Sequence, residues 1–354
     1  MGFRKLAKEI GNDFIDDGKN FIKEGRTFLA DNRSILDSPR ATFPNPRPIP
    51  HMRIVKHAVT DANKIPIART WVLAIEGSTL YIAAKKGILS KSRLEITDPT
   101  TWPSSETYIA PTKVNPANLY PLMKPAYTRY SRQPGELSHA FYKKNQCPLG
   151  LSKEYGNLRN IQNTLTARIS EREINTCELL RANPHPNVAI YRGVMSDTEL
   201  DFDFRGTEVH FPLDRERVIS VVFKKYTCTL WNMVDEKKRF DARKRLQDVA
   251  RGIEHFHRLG IAHCDIKPDN IFVDLSSTSN PIFVLGNFDS AHHFGTVYDL
   301  KGGADGWSRD KRHARDVVEA DDDWYSFQVV KEWLMRETGA RKRDLEGIGR
   351  ALGR

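Results

Sequence analysis

The chain contains no uninterrupted apolar run long enough to span a bilayer, and its first residues lack the apolar segment and small-residue cleavage site of a signal peptide. An intracellular, cytoplasmic location is therefore expected. Cysteine is scarce: Cys147, Cys177, Cys228 and Cys264 stand far apart and form no C-x-x-C pair, which argues against a disulfide framework and against a structural zinc site. Acidic residues are outnumbered, 45 against 55 basic ones, for a net charge of +10. Such a balance could serve nucleic acid, anionic lipid or phosphorylated ligands. However, the basic runs Lys237-Lys238-Arg239 and Arg309-Asp310-Lys311-Arg312 have acids in or beside them and no interleaved aromatics, the composition of a solvated face, so a nucleic-acid partner is not expected. What remains is a chain of 354 residues, 39% hydrophobic and 28% charged, with room for two ordinary domains or one large domain with extensions.

Residues 1–36 open with apolar side chains at near-helical spacing (Phe3, Leu6, Ile10, Phe14, Phe21, Ile22, Phe28, Leu29), an amphipathic helix. Arg4, Lys5 and Lys8 around its start make peripheral membrane contact through residues 1–32 one account; a helix packed back on its own domain, or a frayed tail, is the preferred one. Five prolines between Asp37 and His51 make residues 37–51 an extended linker. Residues 52–136 hold a hairpin, Trp71–Ile75 and Leu80–Ala84 about a Glu76-Gly77-Ser78-Thr79 turn, and then a Pro- and Thr-rich stretch without periodicity. Further strands are expected at 140–143, 188–191 and 218–223, and helices at 171–182, 240–258 and 321–335. Between them, 294–320 reads as a long Gly-rich, charged loop, and 337–354 as a basic tail.

One stretch concentrates chemistry: Ile261-Ala262-His263-Cys264-Asp265-Ile266-Lys267-Pro268-Asp269-Asn270. Asp265 can accept a proton from an attacking hydroxyl, Lys267 can lie against a transferring phosphoryl group, and Asn270 can offer an amide oxygen to a metal. A polar turn leading into a strand is the plainer account. Ile271–Val273 and Ile282–Leu285 pair naturally as a hairpin, which would bring Asn287-Phe288-Asp289 to the mouth occupied by Asp265 and Asn270.

The ordered set of these pieces, from about Leu137 to Leu334, resembles the protein kinase superfamily, and especially a kinase-like group common in filamentous fungi. The resemblance implies an α+β, bilobal fold: a small β-rich lobe with one helix over 137–227 and a mainly helical lobe over 228–336. So few residues follow Asp323 that this helical lobe is expected to be short. By the same resemblance, Lys143 looks like the strand lysine that holds the ATP phosphates and Glu173 like its helix partner, with Glu178 an alternative and Lys85 a weaker rival to Lys143. Lys224, Lys225 and Tyr226 fall in the hinge beside adenine. The resemblance further implies that Asp265 is the base, that Lys267 meets the γ-phosphate, that Asn270 and Asn287 take the metal positions, and that His263 and Asp323 support the catalytic loop.

The departures carry weight of their own. Asn287 puts a neutral amide where the family has a metal-binding Asp, so affinity for Mg²⁺ should fall. No G-x-G-x-x-G precedes Lys143, and Cys264 replaces the arginine that usually meets a phosphorylated loop, so phosphorylation there is not expected to be the switch. Three functions stay open: a Ser/Thr-type protein kinase using ATP with Mg²⁺ or Mn²⁺ on an unknown protein substrate, a pseudokinase that binds nucleotide or scaffolds, and a small-molecule phosphotransferase.

Overall fold

The computed structural model describes residues 52–60, 68–131, 141–145, 165–196, 201–202, 208–209, 215–275, 281–309 and 316–349. The amphipathic helix and linker expected over 1–51 lie outside them. Among the described residues no helix is long and apolar enough to cross a membrane.

The first part is an antiparallel meander of four strands in sequence order: β1 (Arg53–Thr60), β2 (Arg69–Glu76), β3 (Thr79–Lys86) and β4 (Thr107–Lys113). The expected hairpin is β2–β3, with Glu76 opposite Thr79 across a two-residue Gly77-Ser78 loop. Gly77 has φ +54°, as such tight loops require. β2 reads as a continuous apolar run because both of its faces are covered. On one face Val72, Ala74 and Ala83 pack with Leu89 and Leu94 around helix α1 (Lys91–Ile96). On the other, Trp71, Leu73 and Ile82 pack with Leu119 at the end of α2 (Pro116–Leu119), Tyr120 and Ile219.

Ile219 belongs to the second sheet, so the meander rests on it. That sheet has the order β5–β9–β6: β5 (Phe141–Asn145), β9 (Val218–Lys224) in the middle, and β6 (Tyr191–Ser196). A two-stranded ribbon, β7 (Asp201–Phe202) and β8 (Glu208–Val209), stands apart. The aperiodic stretch before residue 132 is an ordered strap. Met123 N and Val218 N bond to Glu216 O and Pro121 O, and Tyr130 N and Val194 N bond to Val194 O and Thr128 O. The strand expected at 188–191 instead starts at Tyr191, because Asn187–Ile190 is spent bridging. Ala189 N bonds to Leu285 O, Leu285 N to Asn187 O, and Lys224 N to Ile190 O.

Helix α3 (Leu165–Ala182) begins earlier than its apolar spacing suggested and buries Ile174, Cys177 and Leu180 against Val194, Val221 and Phe288. Below the sheet, β10 (Cys228–Thr229) leads into α4 (Leu230–Asp235), and α5 (Ala242–Arg258) is capped by Asp241, which accepts from Lys244 N at 3.0 Å. α5 buries Leu246, Val249, Ile253 and Phe256, each contributing on the order of 1.5–3 kcal/mol by leaving water. Then come β11 (Ile261–Ala262), the hairpin β12 (Ile271–Asp274) and β13 (Ile282–Leu285), and β14 (His292–His293), which pairs with β11. The arms of the long loop are themselves tied: Gly295 N bonds to Val318 O and Val318 N to Thr296 O. α6 (Ala320–Thr338) ends at Gly339 in the left-handed conformation. The tail then turns back through α7 (Lys342–Leu345), and Leu345 and Ile348 enter the core formed by α4, α5 and α6, which its basic composition did not indicate.

Candidate active site

The loop from His263 to Asn270 is held from beneath by one carboxylate. Asp323, in the first turn of α6 and fully buried, accepts from His263 N at 2.8 Å and Cys264 N at 2.9 Å, and His257 Nε2 donates to it at 3.0 Å. This grip fixes an uncommon backbone turn, since Cys264 has φ +61°. From there the loop rises to Asp265. Its Oδ1 accepts from Ala304 N at 3.0 Å, and its Oδ2 accepts from Asn270 Nδ2 at 2.8 Å and pairs with Lys267 Nζ at 3.0 Å. Asn270 Nδ2 also donates to Asp265 O at 2.7 Å, which closes the loop on itself. Burial pushes the neighbouring Asp269 carboxyl up to about 6, with the Lys267 charge opposing it.

His263 joins this loop to the next. It accepts from Asp265 N on Nδ1 and donates from Nε2 to Gly286 O at 2.9 Å, while Gly286 N donates to Asn270 O. The β12–β13 register, Ile271 opposite Leu285, delivers Asn287 beside Asn270. Asn287 also adopts a left-handed φ of +63° and donates from Nδ2 to Asn270 Oδ1 at 3.2 Å. Phe288 packs on His263 and on Phe256, with ring centroids 6.0 and 5.5 Å away. The structure thus gathers His263, Asp265, Lys267, Asn270, Asn287 and Asp323 in one place.

On the opposite side, Tyr226 stacks on Phe272 at 5.7 Å and accepts from Ile190 N. Burial raises its hydroxyl to about 12. Lys224 pairs with Asp274 at 2.5 Å, and Lys225 is partly exposed. The backbone of Lys143 lies in β5 opposite Val222 of the central strand. Glu173 is fully buried on α3. Glu178 is occupied elsewhere: it accepts from Thr128 N and Oγ1 of the strap and from the Tyr191 hydroxyl. Lys85 lies in the other sheet, paired with Glu106, and so does not share a sheet with Lys143.

Sequence reasoning missed a second cluster. Arg172 of α3 reaches across to His292 and to the carbonyls of Asp289 and Lys301, and Arg168 pairs with Asp299. An i,i+4 arginine pair on one helix face was a visible signal; its partners, more than a hundred residues later, were not. His292 is pushed down to about 4 by burial and by the Arg172 charge. Beside the loop, a cavity of about 390 Å³ is lined by Cys264, Tyr298, Gly303, Ser308, Asp322 and Ser326. Tyr298 donates to Asp322 at 3.0 Å, and burial raises the Cys264 thiol above its ordinary value.

Residues 153–302, under half of the chain, match the protein kinase domain family model. Among similar proteins, the mitochondrial serine/threonine-protein kinase PINK1 of Rattus norvegicus is 32% identical over 117 residues, 30% of this chain and 20% of that protein. The Homo sapiens protein of that name is 31% identical over 119 residues, covering 30% and 20%. The serine/threonine-protein kinase/endoribonuclease IRE1 of Hypocrea jecorina is 29% identical over 140 residues, 37% of this chain and 10% of that protein. The chain thus spans about a fifth of the length of the PINK1 relatives it matches. Together these matches show that residues 153–302, which carry most of the loop and hairpin of the site, are similar to protein kinase domains.

Proposed function

We propose that the chain is a Ser/Thr-type phosphotransferase of the protein kinase kind, moving the ATP γ-phosphoryl group to a protein hydroxyl. The observation that carries this reading is the buried Asp265 carboxylate, aimed by Ala304 N, Asn270 Nδ2 and Lys267 Nζ on a loop braced by Asp323. Asp265 accepts the proton of the attacking hydroxyl, and Lys267, 3.0 Å from it, neutralises charge on the transferring phosphoryl. Lys143 holds the ATP phosphates with Glu173 as its helix partner, and Lys224, Lys225 and Tyr226 border the adenine. Glu173 suits this role better than Glu178, whose oxygens are taken by the strap.

Kinase domains in general use ATP with a divalent cation. The donor set here fits such a cation poorly. Asn270 and Asn287 offer amides in place of carboxylates and are hydrogen-bonded to each other, and no cluster of three or more His, Cys, Asp or Glu suited to a metal occurs among the described residues. The same pair favours a second reading, a pseudokinase that holds nucleotide without turning it over.

Thermal-shift titration with ATP, with and without Mg²⁺ or Mn²⁺, separates the readings. Phosphotransfer requires a shift, autophosphorylation abolished by Asp265→Ala, and a gain in metal-dependent rate in Asn287→Asp. No shift in any condition refutes both nucleotide readings; a shift without transfer in wild type or Asn287→Asp favours the pseudokinase.

A further inference from the structure

The catalytic carboxylate is aimed partly by a backbone group outside its own loop, Ala304 N at 3.0 Å from Asp265 Oδ1. What keeps Ala304 there is visible three residues upstream. Arg172 Nη2 donates to Lys301 O at 3.1 Å and to Asp289 O at 2.7 Å, so one guanidinium ties both ends of the 289–301 segment to helix α3. Lys301 Nζ pairs back to Asp289 Oδ2 at 2.8 Å, and Ser290 Oγ donates to Gly302 O at 3.1 Å, drawing the same two ends together.

The remaining face of Arg172 meets His292 and Asp299. His292 Nδ1 donates to Ser290 O at 2.7 Å, which leaves Nε2 as the acceptor for Arg172 Nη1. Asp299 supplies the anion: its Oδ2 is 3.0 Å from Arg168 Nη2, and its Oδ1 lies 3.9 Å from Arg172 Nη1 and 3.7 Å from His292 Nε2. A guanidinium that sets Nη2 on two carbonyls and Nη1 on His292 fixes orientation in a way a point charge cannot. Helix α3 carries Glu173 immediately after Arg172, so one clasp sets the helix and the loop together.

We propose that Arg172 is a positioning residue which, with Arg168 and the Asp299 carboxylate, clamps the 289–304 segment to α3 so that Ala304 N bears on Asp265. The anion that holds this segment is encoded in the chain as Asp299, with no added phosphate needed. The catalytic meaning of the clamp rests on the phosphotransfer reading; the clamp itself does not.

Hydrogen exchange of the Ala304 amide, measured without nucleotide, tests it in the full chain. Asp299→Asn, at a half-exposed site where folding is not at stake, should speed that exchange by about tenfold, as should Arg172→Lys, whose single ammonium cannot occupy the Nη1 place on His292 and the Nη2 place on the two carbonyls at once. Asp299→Glu, which keeps the anion facing Arg168 and Arg172, should retain most of the protection. Unchanged exchange in Asp299→Asn, or an equal loss of protection in Asp299→Glu, overturns the clamp. A parallel ATP-turnover assay should show kcat falling in Asp299→Asn with KM for ATP nearly constant. Absence of turnover in wild type with the exchange pattern intact refutes the phosphotransfer reading and upholds the clamp.

Discussion

Asp323→Ala tests the physical account of the site most directly, because it is independent of any activity. The carboxylate is fully buried and accepts two backbone N–H groups at 2.8 and 2.9 Å. Hydrogen bonds to a charged acceptor contribute about 1.5–3 kcal/mol each, so the pair is worth about 3–6 kcal/mol, and truncation leaves both donors buried without that partner. The same grip holds Cys264 at φ +61°, a left-handed conformation that costs about 1–2 kcal/mol for a side chain with a Cβ. Against a total stability of about 5–15 kcal/mol, the substitution should consume a large share of the folded state's margin. Urea unfolding measures this, and exchange at the His263 and Cys264 amides measures it locally. Asp323→Asn keeps one acceptor oxygen and should retain about half of the effect. A loss under about 1 kcal/mol for Asp323→Ala would refute the argument.

Gly286→Ala should destabilise by about 1–3 kcal/mol in thermal or urea unfolding, since a Cβ there would lie 2.2 Å from the Phe272 ring while Gly286 N and O are both bonded and cannot yield. The displaced ring stacks on Tyr226, so nucleotide affinity should fall as well. His292 binds a proton only near pH 4 in the folded chain but near 6.5 when unfolded, so the unfolded state holds more protons between these values. Stability from this group is therefore lost as pH falls from about 6.5 to 4. The Tm of wild type minus that of His292→Gln should be flat above about pH 7 and decline below 6.5; a flat difference down to pH 4 contradicts it.

The elements were legible wherever a local period carried them. Leu246, Val249, Ile253 and Phe256 recur at helical steps because a helix turns one face to the core, and Trp71–Ile75 and Leu80–Ala84 flank a turn that only a tight hairpin satisfies. The order His263-Cys264-Asp265 to Asn270, with a hairpin behind it, was enough to expect Asp265, Asn270 and Asn287 at one mouth, since strand pairing fixes where the ends of a hairpin meet. No such rule reaches across the chain. That Arg172 closes on Asp289 and Lys301, that Glu178 is drawn to Thr128 while Glu173 is not, and that Leu345 and Ile348 fill the helical core all depend on contacts between distant segments. Periodicity records which face of an element leaves water; which partner that face meets, and so that Ala304 N is brought to Asp265, was decided only when the sheets and helices packed.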